Sequence, residues 1–138
     1  MRDKAEQAYL HFQQPVLVND DTWSIPALRG FPSTGMKLCN DFLLAEDWLR
    51  LMNSITDRRI FLVSHYGFHD GKSVHVLTNT VERVILQEAK GKHVKSPCLE
   101  VIGRLNSDRS DAEEITAGKK KVEHLDFWQE LADLVNNA

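Results

Sequence analysis

Three of the six histidines, His65, His69 and His75, fall on one short stretch of chain, and imidazole nitrogens are common metal ligands. The stretch, residues 58–77 (RRIFLVSHYGFHDGKSVHVL), reads as a β-hairpin. Asp70-Gly71 supplies the positive φ angles of a tight turn, and Ile, Val, Phe and Tyr flank it. A two-residue loop pairs Tyr66 with His75, and a four-residue loop pairs Ser64 with it. In either register His75 shares a face with Leu62, Ser64 and Tyr66, while His65 shares the opposite face with Val63, Val74 and Val76. Ligands on opposite faces cannot hold one ion. His65 and His69 share a face but lie roughly 13 Å apart along a strand. These histidines are therefore expected to be turn or partly buried residues, with no metal and no cofactor assigned. His124, near the middle of the apolar arc of the last helix, is expected to be a hydrogen-bonded core or interface residue. No Ser-His or Cys-His motif for nucleophilic catalysis accompanies Ser64 or Cys98.

A second constellation is Asp70 followed, after two strand-like segments, by Glu88-Ala89-Lys90. Two carboxylates suit Mg²⁺, and a neighbouring ammonium stabilises charge at a phosphate. This pattern resembles the Asp and Glu-x-Lys signature of the PD-(D/E)XK nuclease superfamily over about residues 42–90, where a helix followed by three strands also resembles that superfamily's opening. The resemblance implies, as an alternative, a Mg²⁺-dependent nuclease in which Asp70 and Glu88 hold the metal and Lys90 polarises the attacking water. A further alternative is a small-molecule pocket between sheet and helices, lined by Trp48, Tyr66, His75 and Trp128, since mixed aromatic and polar linings suit ligands. The basic stretch Lys90, Lys92, His93 and Lys95 has the charge to touch phosphate, but no interleaved aromatic residue to stack a base. It is expected to be a solvated loop, and Lys119-Lys120-Lys121 the polar start of a helix.

Composition bounds the rest. At 138 residues, 42% hydrophobic and 27% charged, the chain is expected to fold as one globular domain, residues 1–138. A net charge of −3 lacks the basic excess of a phosphate-gripping protein, so nucleic acid is not the expected partner. Cys39 and Cys98 stand far apart and are expected to be buried, reduced thiols. The N-terminal residues show no apolar leader and no long apolar run follows, which leads to the expectation of a cytoplasmic protein with no membrane contact.

The elements that must position these residues follow from periodicity. Residues 3–12 suit a short helix, with Ala5, Ala8, Tyr9 and Phe12 on one stripe. Residues 15–18 and 22–25 suit a small hairpin around Asn19-Asp20-Asp21. Asn40 is placed as the N-cap of a helix over residues 41–55, whose apolar half carries Trp48, Leu49, Leu51, Met52 and Ile55. Residues 79–91 carry both helix caps and a continuous Val84-Ile85-Leu86 run, and are assigned to a strand. Residues 98–105 suit another strand, residues 106–114 a solvated connection, and residues 119–136 a closing helix with an arc of Leu125, Phe127, Trp128, Leu131, Leu134 and Val135.

These elements make an α+β fold: an antiparallel sheet of four to five strands with two main helices packed on one face. Trp48, Leu51, Ile55, Leu125, Trp128, Leu131 and Val135 are its expected core. The absence of a catalytic motif leads to the expectation of a non-enzymatic binding protein, with a protein partner or self-association, as a homodimer, through the broad apolar arc of the last helix.

Overall fold

Runs of Ile, Phe, Val and Tyr pay out into long strands and the apolar stripes between them into short helices. The computed structural model describes residues 1–118 and 123–138. In chain order the elements are α1 (Arg2–Phe12), β1 (Val16–Ile25), β2 (Phe31–Ser33), α2 (Met36–Phe42), α3 (Ala45–Leu51), β3 (Arg59–His69), β4 (Val74–Ile85), β5 (Ile102–Gly103), α4 (Asp111–Thr116) and α5 (Leu125–Asn136). Single 3₁₀ turns occupy Pro26–Leu28 and Pro97–Glu100. The strands form a five-stranded antiparallel sheet in the order β2-β1-β3-β4-β5, so the α+β class inferred above is the class observed.

The chain divides into two compact units, one of Met1–Asp21, Val63–Thr80 and Val122–Ala138, the other of Thr22–Leu62 and Val81–Lys121. In the first, α1 lies close to β3 at Gly67, where an added Cβ would come 3.1 Å from Met1 Cγ and 3.2 Å from Ala5 Cβ. Tyr9 of α1 stacks on His69 with ring centroids 3.9 Å apart. From α5, Phe127 and Trp128 meet Tyr66 of β3 at 5.5 and 5.7 Å.

The second unit holds the main core. Trp23, Ile25, Trp48, Met52, Ile60, Ile85, Val101 and Ile102 close around Cys39 and Cys98, and each large side chain contributes about 1.5 to 3 kcal/mol by leaving water. Both thiols are buried and free. Burial pushes the Cys98 thiol up to about 12, with the neighbouring Cys39 adding to the shift. Arg58 pins the floor of this unit. Its guanidinium donates to the carbonyls of Met52 (3.0 Å), Ile85 (3.0 Å) and Leu86 (2.5 Å).

Several elements differ from expectation for identifiable reasons. The helix placed over residues 41–55 is two, because Leu43 and Leu44 are extended; Asp47 then accepts the Leu44 N–H at 2.9 Å and restarts the helix as α3. Asn40 therefore lies inside α2 and caps nothing. Residues 15–25 form one strand rather than a hairpin, with Asn19, Asp20 and Asp21 exposed along it. Residues 98–105 are mostly not strand: a 3₁₀ turn precedes the two residues of β5. The supposed connection over residues 106–114 ends in α4, which Ser110 caps by accepting the Glu113 N–H at 3.1 Å. Of the strand expected over residues 79–91, residues 79–85 are strand, within β4, and residues 86–91 are not. Of the expected core, Trp48 (1% exposed) and Leu131 are buried, whereas Leu125 is 69% exposed and Leu51, Trp128 and Val135 are also open to solvent. His124 precedes α5 in the left-handed region at φ 56° rather than sitting mid-arc. The polar start assigned to Lys119-Lys120-Lys121 lies outside the described residues.

Candidate functional site

The hairpin turn is built one residue later than expected. Asp70 N–H donates to Ser73 O at 3.2 Å, so Gly71 and Lys72 are its central pair, with Gly71 at φ 100°. The Asp70 carboxylate accepts the N–H groups of Lys72 (2.7 Å) and Ser73 (2.8 Å) through Oδ1, and Oδ2 faces His75 Nε2 at 2.9 Å. These contacts, the one to His75 first, hold its carboxyl well below the usual carboxylate range. Ser73 Oγ lies 3.3 Å from the same Nε2. A nucleophile-base-acid relay needs the serine and the carboxylate on different ring nitrogens. Here both face one nitrogen, so the cluster is a turn clasp and not a hydrolytic triad. His69 Nδ1 accepts the Gly71 N–H at 3.0 Å, and His65 Nδ1 lies 3.1 Å from Thr78 Oγ1. Each hairpin histidine thus has its own local polar partner. Among the described residues no three His, Cys, Asp or Glu side chains are placed to hold a metal ion.

The nuclease-like set is divided between the two units. Asp70 belongs to the first unit, Glu88 and Lys90 to the second. Asp70 is spent on its turn, and Lys90 Nζ donates to Asp108 O at 2.6 Å, with Glu88 3.9 Å away. The aromatic pocket also divides: Trp48 is packed in the core of the second unit, while Tyr66, His75 and Trp128 belong to the first. Within that unit Tyr66 and Trp128 do meet edge to face, and His75 turns instead to Asp70 and toward Phe68 at 6.4 Å.

The most organised polar site lies in the second unit, on the basic loop of residues 90–96. Glu100, at the end of the 3₁₀ turn, is buried, and its Oε2 accepts the His93 N–H at 3.2 Å while its Oε1 faces Lys92 Nζ at 3.4 Å. Its own backbone carbonyl accepts the Lys90 N–H at 2.8 Å. His93 Nδ1 in turn accepts the Ser96 N–H at 3.1 Å, which closes the loop on itself. Ser110, fully buried, donates from Oγ to Lys90 O and so ties the loop to the start of α4. The result is a concavity of about 390 Å³ between loop and α4, lined by Gly91, Lys92, Arg109, Glu113, Thr116 and Ala117. Arg109 Nε is paired with Glu114 at 3.1 Å. Lys92 and Lys95 are exposed on the loop. Two flexible ammonium groups and a guanidinium beside a structured backbone can neutralise a phosphate chain. The sequence shows the basic loop as a run of charge, but not the part that Glu100 and Arg109 take beside it. The available signal for Glu100 was a lone carboxylate inside the apolar run Cys98-Leu99-Glu100-Val101-Ile102.

The chain matches no family model. It is 29% identical over 90 residues to the dITP/XTP pyrophosphatase of Saccharolobus solfataricus, a stretch covering 65% of this chain and 47% of that protein. It is 32% identical over 87 residues to the dITP/XTP pyrophosphatase of Hyperthermus butylicus, covering 63% and 46%. The chain thus spans about half the length of the curated relatives it matches. In fold it is similar to the Ham1 protein of Staphylococcus aureus, with a TM-score of 0.76 at 19% identity over 98% of this chain and 74% of that one. These similarities overturn the expectation of a non-enzymatic binding protein, because the relatives are enzymes. They overturn equally the expected protein partner or homodimer, since what those relatives are named for is a nucleotide. The nuclease pattern falls with them, its aspartate already committed elsewhere. Among the described residues no helix is long and apolar enough to cross a membrane.

Proposed function

We propose that this chain acts on nucleoside triphosphates of the dITP/XTP kind, as a pyrophosphatase. The observation that carries this is the identity near 30% to dITP/XTP pyrophosphatases over about two thirds of the chain. The basic loop supports it. In such a reaction water attacks a phosphorus of the triphosphate chain, a P–O bond of the anhydride breaks, and the departing pyrophosphate carries away the electron pair. Charge on the leaving group is the obstacle, and positioned cations lower it. Lys92, Lys95 and Arg109 are the groups this chain offers for that task, with Glu100 holding the loop that presents the two lysines. Mg²⁺ enters such reactions largely on the substrate's own phosphates. A cytoplasmic location belongs to the same proposal, as the compartment where free triphosphates and reduced thiols coexist.

The test is pyrophosphate release by the purified chain from dITP, XTP and dATP with Mg²⁺, beside a full-length dITP/XTP pyrophosphatase as control. Release from dITP and XTP, with K92A/K95A lowering kcat/KM by at least about tenfold, is the expected result. No release above blank while the control turns over refutes the proposal.

A further inference from the structure

A different part of the second unit carries a second site. At the C-terminal end of α3 the chain turns twice in succession, Asn53 N–H donating to Arg50 O and Ile55 N–H to Met52 O, each at 3.1 Å. Between these turns Ser54 is held in the left-handed region at φ 64°, a conformation that a non-glycine residue adopts at a cost. The turns wall a groove of about 800 Å³, a volume typical of small-ligand sites. Leu49, Met52 and Ile55 give it an apolar side. Asn53, Ser54, Thr56 and Gln87 give it a polar one.

Charge sets the kind of ligand. Arg58 lines the groove, and the three N–H bonds it makes all go to neutral carbonyls, so its charge meets no carboxylate among the described residues. Burial pushes its guanidinium below the ordinary arginine value. Arg50 adds a second guanidinium, 78% exposed and held by one contact, to Asp47 at 3.1 Å. Glu46 is the single carboxylate of the lining. Two guanidinium groups against one carboxylate, beside hydroxyl and amide donors, match the oxygens of a phosphate, and the apolar wall matches a carbon body.

We infer that the α3 groove binds an organic phosphate monoester, with Arg50 and Arg58 at the phosphate and Leu49 and Ile55 against the body. The site is distinct from the basic loop and does not depend on the pyrophosphatase proposal. Phenyl phosphate is the probe, titrated into the ¹⁵N-labelled chain, with inorganic phosphate and benzoate as parallel arms. Saturable amide shifts confined to residues 46–58 and 87 are expected, with phenyl phosphate binding about tenfold more tightly than either fragment. R50A should weaken binding by about tenfold, and Q87A by less, while pyrophosphate release stays unchanged. Equal affinity for phenyl phosphate in R50A, shifts that map to residues 90–110 instead, or no shift at about 10 mM overturns the inference. Folding of each variant is checked by the dispersion of the same spectra, so a collapsed protein is recognised directly.

Discussion

Glu100 is the residue on which the basic loop hangs, and its two bonds are unequal in a way that can be measured. Its side chain is 7% exposed, whereas that of its ionic partner Lys92 is 89% exposed. An ion pair with one arm in water is worth about 0 to 1 kcal/mol, because the ammonium regains its hydration when the pair is broken. The His93 N–H is different. It is part-buried, and a backbone donor to a charged acceptor contributes about 1.5 to 3 kcal/mol and is costly to orphan. E100Q keeps an oxygen for His93 and loses only charge, so it should destabilise by about 1 kcal/mol or less. E100A removes both bonds and should cost about 2 to 4 kcal/mol, the orphaned amide plus a small cavity. K92A should fall within about 0.5 kcal/mol of the parent. Urea unfolding at constant slope gives the three numbers. If K92A costs as much as E100A, or E100Q as much as E100A, the loop is not held by the amide and the reasoning fails. In the pyrophosphate assay E100A should raise KM for dITP while E100Q leaves it near the parent value. An unaltered KM in a destabilised E100A would separate the loop from phosphate binding.

Three further outcomes follow from contacts elsewhere. G103A places a Cβ 2.5 Å from Arg109 O and 3.2 Å from Leu86 Cδ2; the first neighbour is backbone and cannot swing aside, so thermal unfolding should show a loss of about 2 kcal/mol or more, and a neutral G103A would show that β5 and residue 109 move freely. The Asp70 carboxyl titrates lower in the folded chain than its unfolded value of about 3.9, so the stability it adds is present above about pH 4 and is lost as pH falls through the depressed folded value. The stability gap between parent and D70N should therefore be widest near neutrality and shrink below about pH 4; a gap independent of pH refutes the His75 and turn-amide clasp. Cys98, pushed up to about 12 by burial, stays a thiol at pH 8 and should react with Ellman's reagent only as fast as the chain opens, so prompt labelling of native protein would contradict its packing.

What the sequence disclosed and what it hid divide along a physical line. Periodicity exposed α1, β3 and β4, because a run of alternating or striped apolar residues meets one neighbour in one way. It failed at Asn19-Asp20-Asp21, where turn chemistry by composition sits on an extended strand whose side chains simply face solvent. It failed again at Leu43-Leu44, where two good helix formers are extended because the Asp47 carboxylate captures the Leu44 N–H, a local bond that apolar spacing does not register. The hairpin histidines were legible as separate residues, since alternation along a strand fixes which face each one takes. The basic loop was legible as charge but not as structure. Its order comes from Glu100, and a glutamate reads as a surface residue until the 3₁₀ turn of Pro97–Glu100 rotates it inward beneath the His93 amide. Similarity to the dITP/XTP pyrophosphatases was hidden for a different reason: identity near 30% is a relation between chains, which one sequence does not display. A buried carboxylate bonded to the backbone of a cationic loop is, by contrast, a feature that one structure can display alone, because desolvating a charge costs free energy that the bonds it makes must offset.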